Sequence, residues 1–198
     1  MKQVCKRCVM DTTDPLIRFD DNNYCNHCNR ILSDYKRPPY SLDCIEKEQA
    51  LQDYISKIKE DGKDNKYDCL IGVSGGVDST YVAYLCVKYG LRPLAIHLDN
   101  GWNSELAEQN IKNLVDKLQI DFERIKVDPV EFRDLQLAFL KASVVDLEAV
   151  SDNLIHVIFS RLAKKYKIKY FINGCNYATE AILPKSWIAE FKYDGLNI

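Results

Sequence analysis

No stretch of this chain is apolar for long enough to cross a bilayer as a helix. The opening residues Met1-Lys2-Gln3-Val4-Cys5 lack the apolar core of a signal peptide. Together these absences set the expectation of a cytoplasmic protein with no membrane association and with reduced thiols. A basic excess is also lacking: 27 Lys and Arg face 29 Asp and Glu, for a net charge of −2. That balance argues against bulk nucleic-acid affinity, although a local basic patch is compatible with a neutral total. There is no internal repeat and no low-complexity tract. What remains is a 198-residue chain, 46% hydrophobic and 28% charged. It is long enough for one α/β domain with a sizeable core and a small appendage.

Three stretches follow one another along the chain. Residues 1–37 are rich in Cys, Asn, Asp and Arg and show little helical or strand periodicity. Residues 38–65 begin with the linker-like Pro38-Pro39 and continue as a helix over about 44–60. Asp43 and Glu46 form its capping pair, and Leu51, Tyr54, Ile55 and Ile58 form its apolar face. From residue 66 to 198 strand and helix patterns alternate. The strands are Tyr67–Val73, Pro93–Leu98, Phe122–Val127 and Lys169–Asn173. The helices are Ser79–Tyr89, Ser104–Leu118, Pro129 to about Lys141, and Asn153–Tyr166. The first of these is almost wholly apolar, which predicts burial. The alternation argues for an α/β fold with a doubly wound parallel sheet.

Ser74-Gly75-Gly76-Val77-Asp78-Ser79 follows the first strand and opens a helix. Paired glycines let backbone N–H groups converge without Cβ obstruction, and a helix N-terminus adds partial positive charge. Ser74 and Ser79 add hydroxyls. The string is a cradle for a polyanion, with Asp78 suited to hold a bridging Mg²⁺. It has neither the spacing of a Walker A loop nor that of the dinucleotide fingerprint.

Cys5-Lys6-Arg7-Cys8 and Cys25-Asn26-His27-Cys28 form two C-x2-C pairs separated by sixteen residues. Each presents two thiolates to one tetrahedral metal, so a closed structural Zn²⁺ site is expected, with an iron–sulfur cluster as the alternative. His27 reads as a neighbour of the site or a solvated residue. Cys44, Cys69 and Cys86 read as small buried apolar residues. Cys175, at a strand end, is a candidate reactive thiol.

The glycine string resembles the signature of the PP-loop ATP pyrophosphatases, a class that includes GMP, asparagine and NAD synthetases and several tRNA-modifying enzymes. That resemblance implies an AMP-forming enzyme whose loop, Ser74 to Ser79, grips the pyrophosphate of ATP. It further implies adenine near His97 and Leu98, with Asp99, Asn100, Gly101 and Trp102 at the site mouth and Gly174 facing the nucleotide. For His97, a hydrogen-bonded core position remains equally open. Members often continue past that glycine with an Asp-Asp pair. Here the run is Asn176-Tyr177-Ala178-Thr179-Glu180, which leaves Glu180 as the acidic candidate.

A narrower resemblance rests on Cys5-x-x-Cys8-Val9-Met10-Asp11-Thr12, Asp14-Pro15, Phe19-Asp20, Cys25-Asn26-His27-Cys28, Asn173 to Glu180 and Pro184-Lys185-Ser186-Trp187. These strings are similar to those of the N-acetyl sugar amidotransferases of bacterial surface-polysaccharide synthesis. The resemblance implies adenylation of an acetamido oxygen on a sugar nucleotide, followed by attack of ammonia to give an acetamidino group. No cysteine stands in a glutaminase context, and the resemblance implies ammonia from a separate glutaminase and cyclase-like protein pair. Lys185 is its candidate cation for an acidic sugar. Members of that family are longer, so a C-terminal portion completing the sugar site is expected to be missing here. Two rival readings remain: a zinc-containing PP-loop tRNA-thiolating enzyme, and a zinc-dependent scaffold with a vestigial loop.

Overall fold

Short apolar runs closed by polar or glycine residues become the strands of one parallel sheet, and capped amphipathic segments become the helices between them. The computed structural model describes residues 2–144, 146–180, 182 and 184. Two compact units emerge. The described residues of Met1–Ala50, Ser143–Asp146 and Asn176–Ile198 form the first, and those of Leu51–Ala142 and Leu147–Cys175 form the second.

The first unit begins with two tight loops rather than regular structure. Asp20 Oδ1 accepts from the N–H groups of Asn22 and Tyr24, both at 2.9 Å, and Asp11 Oδ1 accepts from Thr13 at 2.8 Å. Such side-chain turns leave no periodic trace in sequence. A helix that the sequence does not announce, α1 (Asn26–Asp34), starts at the second cysteine pair and buries His27, Cys28 and Ile31. Met10, Ile17, Phe19, Tyr24 and Ile182 pack around the cysteines. Tyr177, in the short α7 (Tyr177–Glu180), stacks on Tyr40 and donates to Asp34 Oδ2 at 2.5 Å.

A long helix, α2 (Cys44–Gly62), runs from the first unit into the second. Its start is the expected reciprocal cap: Glu46 N donates to Asp43 Oδ1 at 2.8 Å, and Asp43 N donates to Glu46 Oε2 at 3.0 Å. Its buried face is narrower than expected, because Ile55 and Ile58 are buried while Leu51 and Tyr54 are exposed. Cys44, expected inside, is exposed as well.

The second unit alternates β1 (Cys69–Gly72), α3 (Val77–Lys88), β2 (Pro93–Asp99), α4 (Glu105–Leu118), β3 (Asp121–Lys126), α5 (Pro129–Lys141), α6 (Ala149–Tyr166) and β4 (Tyr170–Ile172). All pairings are parallel, in the order β3-β2-β1-β4. Successive side chains point to opposite faces. Cys69, Ile71 and Ala95 therefore pack with Ile55, Ala83, Cys86, Ile111 and Leu114, under α2, α3 and α4. Leu70, Leu94 and Ile96 pack with Ile158, Phe159 and Leu162 of α6. Both faces are covered, as a doubly wound sheet requires. Burial of each large aliphatic side chain contributes roughly 1.5–3 kcal/mol. Helix starts follow local chemistry: Ser104 caps α4 through Ala107 N, and Asp128 caps α5 through Val130 and Glu131, with Pro129 in its first turn.

α3 departs from expectation. It buries Ala83 and Cys86, while Val77, Tyr81 and Tyr84 remain exposed. Its apolar composition serves two faces, only one of which meets the sheet. Among the described residues no helix is long and apolar enough to cross a membrane.

Candidate functional site

The chain order reverses at β1: β2 and β3 lie to one side and β4 to the other. Loops leaving the carboxyl ends of strands diverge at such a point and open a crevice. Residues 73–76 leave β1 there, and residues 173–175 leave β4.

The glycine loop is shaped by close approach. Gly75 has φ +80°, and a Cβ on it would come within 2.5 Å of the Ala107 carbonyl oxygen on α4. Asn110 Nδ2 donates to Gly75 O at 3.0 Å and ties the loop to the same helix. Ser79 Oγ donates to Gly76 O at 3.2 Å and lies 3.2 Å from Ser74 Oγ, while Thr80 Oγ1 donates to Gly76 O at 2.8 Å. These hydroxyls close the turn and leave the first turn of α3 without a side-chain cap on its N-cap residue, Gly76. Val77 and Asp78 are exposed there. Among the described residues the Asp78 carboxylate makes no hydrogen bond or ion pair. Gly174 faces this turn: a Cβ on it would lie 3.1 Å from the Asp78 carbonyl carbon and 3.2 Å from Ser79 N. The structure thus brings Ser74–Ser79 and Gly174 together at uncapped N–H donors, a cradle suited to an anion.

Beside the loop, the ends of β1 and β2 and the first turns of α6 enclose a cavity of about 330 Å³. Gly72, Val73 and Ser74, His97 and Leu98, and Ile155, Phe159 and Phe171 line it. His97 is buried. Its Nδ1 lies 2.8 Å from Val73 O, so Nδ1 carries the proton and Nε2 accepts from Asn103 Nδ2 at 3.0 Å. His97 is therefore both a hydrogen-bonded core residue and part of the cavity wall. Asn103 Nδ2 also contacts Glu108 Oε1 at 2.8 Å, and Arg124 bridges Glu108 and Asp99. The hydrogen bond from Arg124 holds the Glu108 carboxyl below its ordinary range. Ser151 also lines this cavity. Its buried Oγ has no hydrogen-bond partner among the described residues, a condition costing about 1–3 kcal/mol unless a ligand relieves it.

Sequence reading did not find Asn103, Glu108, Asn110, Arg124, Ser151 or Phe159. They come from α4, β3, α6 and the loop after β2, and no spacing within one element joins them. Cys175 is exposed at the end of β4, with its N–H on Asn173 Oδ1 at 3.1 Å. Glu180 accepts from Asn176 N at 3.0 Å and belongs to the first unit. Lys185 lies outside the described residues.

In the first unit the four sulfurs of Cys5, Cys8, Cys25 and Cys28 lie within 4.8 Å of one another. The Cys5–Cys28 separation is 3.8 Å and Cys8–Cys25 is 3.5 Å. A Zn–S length of about 2.3 Å makes the edges of a tetrahedral thiolate site about 3.8 Å, so the set fits zinc. Burial raises the Cys5 thiol, but the N–H groups of Arg7, Cys8 and Cys25 outweigh it and bring the pKa to about 6. Burial raises Cys8 and Cys25. His27 is not in the set: it pairs with the buried Asp14 at 2.8 Å.

Comparison with known proteins gives this geometry a family. An uncharacterized protein of Methanocaldococcus jannaschii is 27% identical over 172 residues, covering 86% of this chain and 58% of its own length. A probable tRNA sulfurtransferase of Geobacillus kaustophilus is 39% identical over 70 residues, 35% of this chain and 18% of that one. The structure of NMN synthetase from Francisella tularensis superposes with a TM-score of 0.51 at 25% identity, covering 69% of this chain and 56% of that one. A glutamine-dependent NAD⁺ synthetase from Acinetobacter baumannii, in complex with ADP, gives 0.51 at 13% identity over 64% of this chain and 24% of that one, a likeness of fold. The chain spans a little over half the length of the first relative of each kind, 58% and 56%. The family model for NAD synthase matches residues 46–181, well over half the chain, and the chain belongs to that family.

Proposed function

We propose that this chain is an ATP-dependent, AMP-forming amidotransferase that converts an acetamido group of an N-acetyl sugar nucleotide to an acetamidino group with ammonia. The observation that carries the nucleotide half is the uncapped first turn of α3 framed by Gly75, Gly76 and Gly174, with the serine pair beside it. In this reading those N–H groups and Ser74 and Ser79 hold the β,γ-phosphates. Asp78 is the residue that would hold Mg²⁺, which would offset the charge of the phosphates. The base enters the cavity of His97 and Leu98, where the Ser151 hydroxyl awaits a partner. The sugar half rests on the N-terminal cysteine strings and Asn173-Gly174-Cys175-Asn176.

An amide oxygen is a poor leaving group. Its attack on the α-phosphorus expels pyrophosphate and forms an O-adenylyl imidate. Ammonia adds to the carbon and AMP leaves with the oxygen, so ATP, amide and ammonia give AMP, pyrophosphate and amidine. Ammonia is already nucleophilic, and the work of the protein is positioning and charge stabilisation. The ammonia is proposed to come from a separate glutaminase and cyclase-like pair.

The test is AMP formation by purified protein with ATP, Mg²⁺, ammonium and nucleotide-activated N-acetyl sugars. Sugar- and ammonium-dependent AMP that Asp78→Ala abolishes is the expected result. A second reading, sulfur transfer to tRNA, is favoured by the exposed Cys175 and by the short match to the sulfurtransferase. AMP appearing only with tRNA and a sulfur donor, and lost in Cys175→Ser, would establish it instead.

A further inference from the structure

The loop that follows β2 borders two cavities. The one beside His97 shares Asn100, Asn103 and Glu148 with a second of about 700 Å³ that opens between this loop and α5. Three features of the second cavity point to a ligand. Trp102 is 73% exposed, yet its Nε1 donates to Gln136 Oε1 at 2.8 Å, so the indole is held in place while it remains in solvent. Leu137 and Leu140 of α5, with Leu147, are exposed on the same wall. Arg133, one turn before Leu137, has no ion-pair partner among the described residues. A fixed aromatic face, an apolar wall and an unpaired guanidinium together suit a ring carrying an anionic group. Neither the glycine loop nor the His97 cavity uses any of them.

We infer that this second cavity is the acceptor subsite: the acceptor lays a ring against Trp102, pairs its phosphate or carboxylate with Arg133, and directs its reacting group toward the shared rim of Asn100 and Asn103. The inference rests on the AMP-forming reading, because that reading requires an acceptor beside the nucleotide. The rim joins the two cavities, so an acceptor held here reaches the end of β2 without entering the base cavity. Glu148 on the same rim suits hydroxyl or N–H donors of a sugar and opposes a second anion there.

The experiment uses the full chain with Trp187→Phe, which leaves Trp102 as its single tryptophan. Its fluorescence is titrated with UDP-N-acetylglucosamine, UMP and neutral N-acetylglucosamine. The two anionic probes are expected to saturate the signal, at concentrations at least about tenfold below the neutral sugar. Arg133→Ala should weaken their binding about tenfold, and Arg133→Lys should restore part of it. In AMP-formation kinetics, Arg133→Ala and Trp102→Ala should raise the acceptor KM at least fivefold while the ATP KM stays within twofold. Equal binding of neutral and anionic probes, no response to any probe, or unchanged binding in Arg133→Ala would overturn the subsite. So would saturation of Trp102 by a single-stranded RNA oligonucleotide alone. Failure of the AMP-forming reading looks different: no AMP forms with any acceptor, while the probe titration still depends on Arg133.

Discussion

At Gly75 and Gly174 the space of a single methyl group separates a working cradle from an obstructed one. Gly75 has the left-handed backbone that L side chains rarely adopt, and its missing Cβ makes room for the Ala107 carbonyl. Gly75→Ala should cost about 1–3 kcal/mol, read as a lower urea midpoint. Gly174→Ala presses on Asp78 and Ser79 instead. It should weaken ATP binding at least about tenfold by calorimetry, with a much smaller effect on the midpoint. Asp68 is a different case. Buried at 2% exposure, it accepts from Arg92 N, Nε and Nη2, at 2.7, 3.1 and 2.6 Å. Asp68→Ala removes these acceptors and leaves the half-exposed Arg92 with the Gly62 carbonyl and solvent, and should cost about 1–2 kcal/mol in the same urea titration. Gly75 was readable because adjacent glycines after a strand are rare without a backbone reason, whereas Gly174 was indicated only by the resemblance to the PP-loop class. Asp68 and Arg92 were not, since nothing in their 24-residue separation marks them as partners.

Among the elements, strands and most helices were legible from period and punctuation. Ser104, Asp128 and the Asp43–Glu46 pair mark starts by hydrogen-bond chemistry that is local in sequence. Burial was less legible. The apolar composition of α3 predicted a buried helix, whereas Val77, Tyr81 and Tyr84 face outward at i, i+4 and i+7. Composition records how apolar a helix is, but not how many of its faces meet a neighbour. Tyr81→Lys should accordingly shift stability by no more than about 0.5 kcal/mol. The α4–β3 pair offers a test against pH. Because Arg124 depresses the Glu108 pKa, their pairing stabilises the fold above the ordinary glutamate value. That stability is lost as pH falls through the lower folded-state value. Urea titrations between neutral pH and pH 3 should show a shallower acid loss in Glu108→Gln than in the parent chain.

For the whole molecule, alternation of strand and helix was enough to indicate a parallel sheet covered on both faces. It was not enough to give the order β3-β2-β1-β4, because periodicity identifies elements and not their neighbours. Nor did it reveal that the described residues of 143–146 and 176–198 join the N-terminal unit, since that return is made by tertiary contacts alone. The four thiols were legible from spacing, and their convergence makes metal removal informative. A strong chelator should abolish amide protection in residues 2–37 while the protection of β1 and β2 persists, by hydrogen exchange with mass spectrometry. The sheet order also has a kinetic side. β1 meets β2 across one short helical connection, but Cys69 meets its other partner, Tyr170, only across the whole stretch from α3 to α6. Closing so long a loop is slow relative to local pairing. The β1–β2–β3 half should therefore assemble first and β4 should dock last, bringing Gly174 against the start of α3 as it does so. A ribosome-bound chain truncated before residue 170 would then carry an ordered glycine loop that still lacks its second wall. If this cradle holds a nucleotide, competence to do so would arrive with β4, in a single step.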